Sequence, residues 1–142
     1  MSTTETVPPQ LGQAVALAQR ALIPARDAVL DEAGARFDTY AALNMVASGD
    51  PAISVDELRR GLAAALETEP VAASQTIERL ESEGLIEFGD DHCQLRLTAG
   101  GEARFERLRE SMQQLTRELL DGLDPDDVTA TMRTLQEVTG RA

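Results

Sequence analysis

Apolar residues recur at helical intervals along most of the chain and alternate in only one short region. From Pro9 to about Ala33, Leu11, Val15, Leu22, Val29 and Leu30 stand among many alanines, which predicts a long helix. Pro24 lies inside it and predicts a kink or an interruption, because proline lacks the amide donor and crowds the preceding turn. Phe37, Tyr40, Leu43 and Val46 step by three and trace one face of a second helix, over about 37–48. Gly49-Asp50-Pro51 ends it in a turn. Ser54-Val55-Asp56-Glu57 has the form of a capping box, and the helix it opens carries Leu58, Leu62 and Leu66 on one side, to about Glu67.

The next stretch changes period. Pro70 suits the first turn of a helix, with Thr68 or Glu69 as its cap, and Val71, Ile77, Leu80 and Leu85 supply a near-helical apolar stripe. Gly84 stands where the helix exit calls for positive φ. Leu85-Ile86-Glu87-Phe88 reads as extended, Gly89-Asp90-Asp91 as a turn, and Gln94-Leu95-Arg96-Leu97 alternates polar with apolar. A helix followed by a two-stranded ribbon is the plan of a winged helix. Beyond it, Phe105, Leu108, Met112, Leu115 and Leu119 step by three and four, a heptad-like seam of roughly 21 Å that wants a partner helix. Asp124-Pro125-Asp126-Asp127 then starts a last helix carrying Val128, Met132, Leu135 and Val138.

The expected architecture is mainly α. A loose tail over 1–8 precedes one domain over 9–142, with a winged helix-turn-helix head at 34–98, a small two-stranded wing, and terminal dimerisation helices at 9–33 and 99–142. The terminal helices carry more apolar surface than a small head covers, so a homodimer is expected through Leu11, Val15, Leu108, Met112, Leu115, Leu119, Met132 and Leu135. The alternative is that these helices pack only on their own head.

Composition sharpens one point and closes several others. Hydrophobic content is 42% and aromatic content 3%, so small aliphatic residues must fill the core. No stretch approaches the length of a membrane span, the first residues lack the regions of a secretion signal, and Cys93 is the single cysteine. A cytoplasmic setting is the expectation. Net charge is −12, with thirteen arginines, no lysine and 25 acids. Residues 54–98, which include the expected reading helix and wing, hold four arginines against ten acids. That is the wrong sign for phosphate contact.

Little else suggests chemistry. One histidine and one cysteine supply no catalytic triad, so an enzyme is not expected. His92 and Cys93 are adjacent on a ribbon and point to opposite faces, so they do not readily share a metal ion, and no metal or cofactor is expected.

Three segments together resemble the MarR family of bacterial transcriptional regulators. Leu62-Ala63 and Leu66 followed by Glu69-Pro70 resemble the family's entry to its recognition helix. Ile77-Glu78-Arg79-Leu80-Glu81 with Gly84-Leu85-Ile86-Glu87 is similar to the end of that helix and the first wing strand. Arg96-Leu97-Thr98-Ala99-Gly100-Gly101 resembles the return strand and the Leu-Thr-x-x-Gly entry to the dimer helix. The resemblance implies a homodimer on a palindromic double-stranded DNA operator, wings reaching the minor groove, and a small aromatic or phenolic effector near the junction of head and dimer helices. It places Ala72, Ser74, Gln75 and Thr76 near base edges or phosphates, with Gln75 suited to adenine. Arg36, Arg59, Arg60 and Arg96 are the basic candidates, and Arg79 is expected to pair with Glu83. Two features depart from the family: Gln75 stands where arginine is frequent, and the wing tip is Gly89-Asp90-Asp91-His92. Two functions follow, a dimeric DNA-binding regulator acting as a repressor relieved by a ligand, or a winged-helix protein with weak or lost DNA binding that works through protein contacts.

Overall fold

The structure, a computed structural model, describes residues 10–49, 52–90 and 93–142. The elements run α1 (Leu11–Glu32), α2 (Phe37–Ala47), β1 (Ile53–Ser54), α3 (Val55–Leu66), α4 (Pro70–Ser82), β2 (Ile86–Phe88), β3 (Gln94–Leu97), α5 (Ala99–Leu120) and α6 (Pro125–Arg141). The tail over 1–8, Asp50 and Pro51 of the expected turn, and Asp91 and His92 of the wing tip lie outside the described residues.

Local chemistry sets the helix boundaries. The Glu57 amide donates to Ser54 Oγ at 3.1 Å and the Ser54 amide donates to Glu57 Oε1 at 3.4 Å, which completes the capping box of α3. Pro70 occupies the first turn of α4, whose cap residue Glu69 uses no side-chain hydrogen bond. Gly84 leaves α4 at φ 74°. Thr98 serves two elements at once. Its Oγ1 accepts from the Gly101 amide at 2.9 Å to cap α5, and donates to the Gly84 carbonyl at 2.6 Å. Asp124 accepts from the Asp126 amide at 2.9 Å and caps α6.

Aliphatic side chains from every layer of the head meet in one core. Leu30, Leu43, Leu58, Leu62, Leu80, Ile86, Leu95 and Leu108 are fully buried. The core therefore joins α1, α2, α3, α4, the sheet and α5, and holds α4 at a fixed attitude on the outside. Among the described residues no helix is long and apolar enough to cross a membrane.

Four expectations change. Of the two outcomes expected at Pro24, the interruption does not occur, since α1 continues through it. The sheet has three strands, not two, in the order β1-β3-β2. Ile53 and Ser54 pair with Leu95 and Gln94 on the free edge of β3. A two-residue strand is too short to show any alternation, so sequence period cannot reveal it. Val71 does not join the apolar stripe. It is 71% exposed, because six residues at 100° each turn it about 240° away from Ile77, and Ala73, Thr76, Ile77 and Leu80 form the buried face instead. Leu108, expected at a dimer interface, is 0% exposed within its own chain and has no surface left to offer a partner. Phe105 and Met112, on either side of it, pack on the same core. Apolar surface remains exposed at Leu11, Val15 and Leu22 of α1, at Leu119 and Leu120 of α5, and at Met132 and Val138 of α6, which buries no residue fully.

Candidate nucleic-acid interface

Helices α3 and α4 are joined through Glu67, Thr68 and Glu69, and Glu67 adopts the left-handed conformation (φ 51°, ψ 49°) that turns the chain between them. Its amide donates to the Ala64 carbonyl at 3.2 Å and that of Thr68 to Ala63 at 3.0 Å. These bonds satisfy two of the last four carbonyls of α3, those of Ala63 and Ala64. The tight turn leaves the amino end of α4 exposed at Glu69, Pro70 and Val71. The amides of Ala72 and Ala73 already donate to the Glu69 carbonyl, at 3.0 and 3.3 Å.

The outward face of α4 carries Val71, Gln75 and Glu78, all exposed, at positions i, i+4 and i+7. Ala72 and Ser74 flank it, half-buried. Of the four residues expected to meet DNA on this helix, Gln75 is the one fully presented. Thr76 is turned inward. It is 7% exposed, and its hydroxyl lies 3.2 Å from Asp38 Oδ2 and 3.4 Å from the Ala72 carbonyl, so it anchors α4 to α2 rather than facing a groove. The single hydroxyl proton is shared between these two acceptors, which satisfies it in a buried position where an unpaired donor would be costly.

Asp38 is the centre of that anchor, and sequence reasoning did not single it out. Its carboxylate accepts from the Arg79 guanidinium at 3.1 Å, from Arg36 at 3.3 Å and from the Thr39 amide at 2.8 Å, besides Thr76. Arg79 also reaches Glu83 at 3.4 Å, the expected pairing, and Thr39 Oγ1 at 3.3 Å. The one arginine of α4 is thus committed to the scaffold, and the outward face of the helix bears no cation. The only sequence signal for Asp38 was its place in the first turn of α2, where an acid suits the helix dipole.

The other basic candidates differ in availability. Arg59 pairs with Asp56 one turn earlier on α3. Arg36 pairs with Asp38 while remaining largely exposed. Arg96 lies directly across the ladder from Glu87 and pairs with it at 3.0 Å. Arg60 is exposed and makes no ion pair among the described residues.

A second feature adjoins the head. A groove of about 900 Å³ opens between the middle of α1, the start of α2 and the end of α3. Gln19, Ile23, Phe37 and Leu66 contribute to its walls, and the Arg26 guanidinium sits 3.6 Å from the centre of the Phe37 ring. Further along α2, Tyr40 stacks on Phe105 with ring centres 6.1 Å apart. Burial raises the Tyr40 phenol above its ordinary range, with Arg109 opposing in part, so it stays neutral at physiological pH.

No family model and no curated protein sequence matches the chain. Solved structures do. A MarR-family transcriptional regulator from Rhodococcus sp. RHA1 superposes with a TM-score of 0.76 at 17% identity, over 97% of this chain and 98% of that one. The MarR-family protein Rv2887 of Mycobacterium tuberculosis, solved in complex with DNA, superposes with a TM-score of 0.71 at 22% identity, over 90% of this chain and 96% of that one. CouR from Rhodococcus jostii RHA1, solved bound to p-coumaroyl-CoA, gives a TM-score of 0.71 at 21% identity, over 92% and 91%. The described residues have the MarR winged-helix fold.

Proposed function

We propose that this chain is a MarR-family regulator of transcription: a homodimer that places α4 of each protomer in the major groove of a palindromic operator, represses from there, and lets go when a small aromatic or phenolic ligand binds. The observation that carries the reading is the presentation of α4. The whole core holds its inward face, Asp38 pins it to α2, and Gln75 is exposed on a side that no other described element covers. A glutamine so placed is suited to bidentate bonding with adenine N6 and N7. The solved complex of Rv2887 with DNA, of like fold, supports the same use here. The dimer rests on the exposed apolar residues of α1, α5 and α6. The ligand reading rests on the groove beside Phe37, whose ring suits an aromatic ligand; Arg26, stacked on that ring, is paired with Asp27 at 3.0 Å and would have to exchange that partner to hold a ligand carboxylate. Wing contact with DNA is not part of the proposal, since Asp90 is exposed at the tip and Arg96 is held by Glu87.

The test is a gel-shift titration of the full chain against the DNA upstream of its own coding region, at low salt. A shift is expected, with Gln75→Ala weakening it about a hundredfold, in line with the loss of two bidentate base contacts, one per protomer, of about 1–3 kcal/mol each. Salicylate added to the complex is the probe for release, and Arg26→Gln should raise the concentration required. No shift on any upstream fragment at low salt would overturn the regulator reading.

A second reading has its own observation. Arg36, Arg59, Arg79 and Arg96 are each paired with an acid of the same chain, which leaves the head acidic. Such a surface suits a basic protein partner better than a phosphate backbone. A co-purified protein that survives nuclease treatment, together with no operator shift, would favour this alternative.

A further inference from the structure

Resting on the DNA-binding reading above, we propose that Val71 is a specificity-determining residue, which packs against the 5-methyl group of a thymine in each operator half-site, beside the adenine bonded by Gln75. Val71 is 71% exposed, more than any other large apolar side chain among the described residues. A lone exposed valine is ordinary; its position is what matters. It lies in the first turn of α4, directly after Pro70, one helical turn before Gln75 and on the same outward face. The amino-terminal residues of a recognition helix are those that reach base edges. Nothing in the head needs the side chain, since the buried face of α4 is filled by Ala73, Thr76, Ile77 and Leu80.

The neighbours of Val71 restrict what this face can read. Guanine offers two acceptors, O6 and N7, and its ordinary reader is arginine or lysine. The face has neither, because Arg79 is bound to Asp38 and Glu83. Glu78, next along the face, repels guanine acceptors and can accept from a cytosine amino group. An apolar branched side chain beside an amide therefore favours a step with thymine methyl next to adenine.

The experiment is selection of bound duplexes from a random pool by the full chain, followed by replacement of each half-site thymine by deoxyuridine, which removes only the methyl. One position per half-site is expected to lose about fourfold in affinity, the worth of one buried methyl group. Val71→Ala should be indifferent to the same replacement, and the substitution is safe for folding because the site is exposed and alanine favours helix. If a sequence is enriched but no deoxyuridine position matters, or Val71→Ala suffers the same loss as the parent, the inference about Val71 falls while DNA binding stands. If no sequence is enriched over the pool while the gel shift persists, the inference about Val71 falls and DNA binding stands; if the gel shift is absent as well, the DNA-binding reading has failed and takes the inference with it.

Discussion

Two adjacent glycines at the start of α5 do different work. A methyl group built on Gly101 would sit 1.9 Å from the Leu85 carbonyl oxygen, a backbone atom that cannot yield without moving β2. On Gly100 the nearest atoms are 3.7 and 3.8 Å away, ordinary van der Waals spacing. Gly101→Ala is therefore expected to unfold the head or lower its melting midpoint severely, whereas Gly100→Ala should leave it unchanged or raise it, since alanine is favoured over glycine in a helix by up to about 1 kcal/mol. Thermal melts of both variants check this. Asp38→Asn is expected to cost about 1–3 kcal/mol in denaturant unfolding, because it weakens the bonds to Arg79 and Thr76 together. These two cases mark what the chain discloses at this scale. The Leu-Thr-x-x-Gly run at 97–101 marks Gly101 in the sequence, although nothing local shows its approach to Leu85. Asp38 and Arg79 are 41 positions apart, and no local pattern joins them.

The elements were legible wherever period and caps agreed. Capping residues at Ser54 and Asp124 and the exit at Gly84 mark real boundaries. Strand β1 escaped because two residues carry no period, and Val71 was misplaced because a stripe read at steps of six and three does not close on a 3.6-residue turn. The seam of α5 shows a subtler limit. Its spacing was right, yet spacing cannot say which partner a face meets. The first half, Phe105, Leu108 and Met112, meets its own head, and the exposed apolar residues, Leu119 and Leu120, come about two turns after Met112. Two variants separate these roles. Leu108→Ala should destabilise the folded chain by about 2–5 kcal/mol, the usual cost of a fully buried leucine truncated to alanine. Leu119→Glu combined with Met132→Glu should leave helix content intact and turn a dimer into a monomer in sedimentation velocity. If the double variant sediments like the parent, the exposed ends of α5 and α6 are not the dimer contact.

For the whole molecule the controlling quantity is charge. A body of net charge −12 approaching a polyanion is repelled at long range, so the proposed DNA binding requires a few short-range contacts and base readout. On the proposed reading the head offers phosphate Arg36, Arg59 and Arg60, and the first two are already paired with acids. If all three met phosphate in both protomers, counterion release would give a slope of log K against log salt of about −5, and the existing pairs pull it toward about −2. Binding measured by anisotropy between about 50 and 200 mM salt should therefore fall only moderately. A slope much steeper than −5 would mean that arginines outside the head carry the contact. The same logic identifies the change that should strengthen binding. Asp56 holds Arg59 on the exposed side of α3, so Asp56→Asn removes one negative charge per protomer and frees a cation at once. Asp56 lies in the first turn of α3 but is not part of its capping box, which uses Ser54 and Glu57, so the helix should survive the change. Affinity should rise several-fold at low salt, on specific and unrelated duplexes alike, and the slope should steepen by up to about two units for the dimer. An increase confined to the specific sequence would instead place Asp56 near base edges, and no increase would remove Arg59 from the set of phosphate contacts.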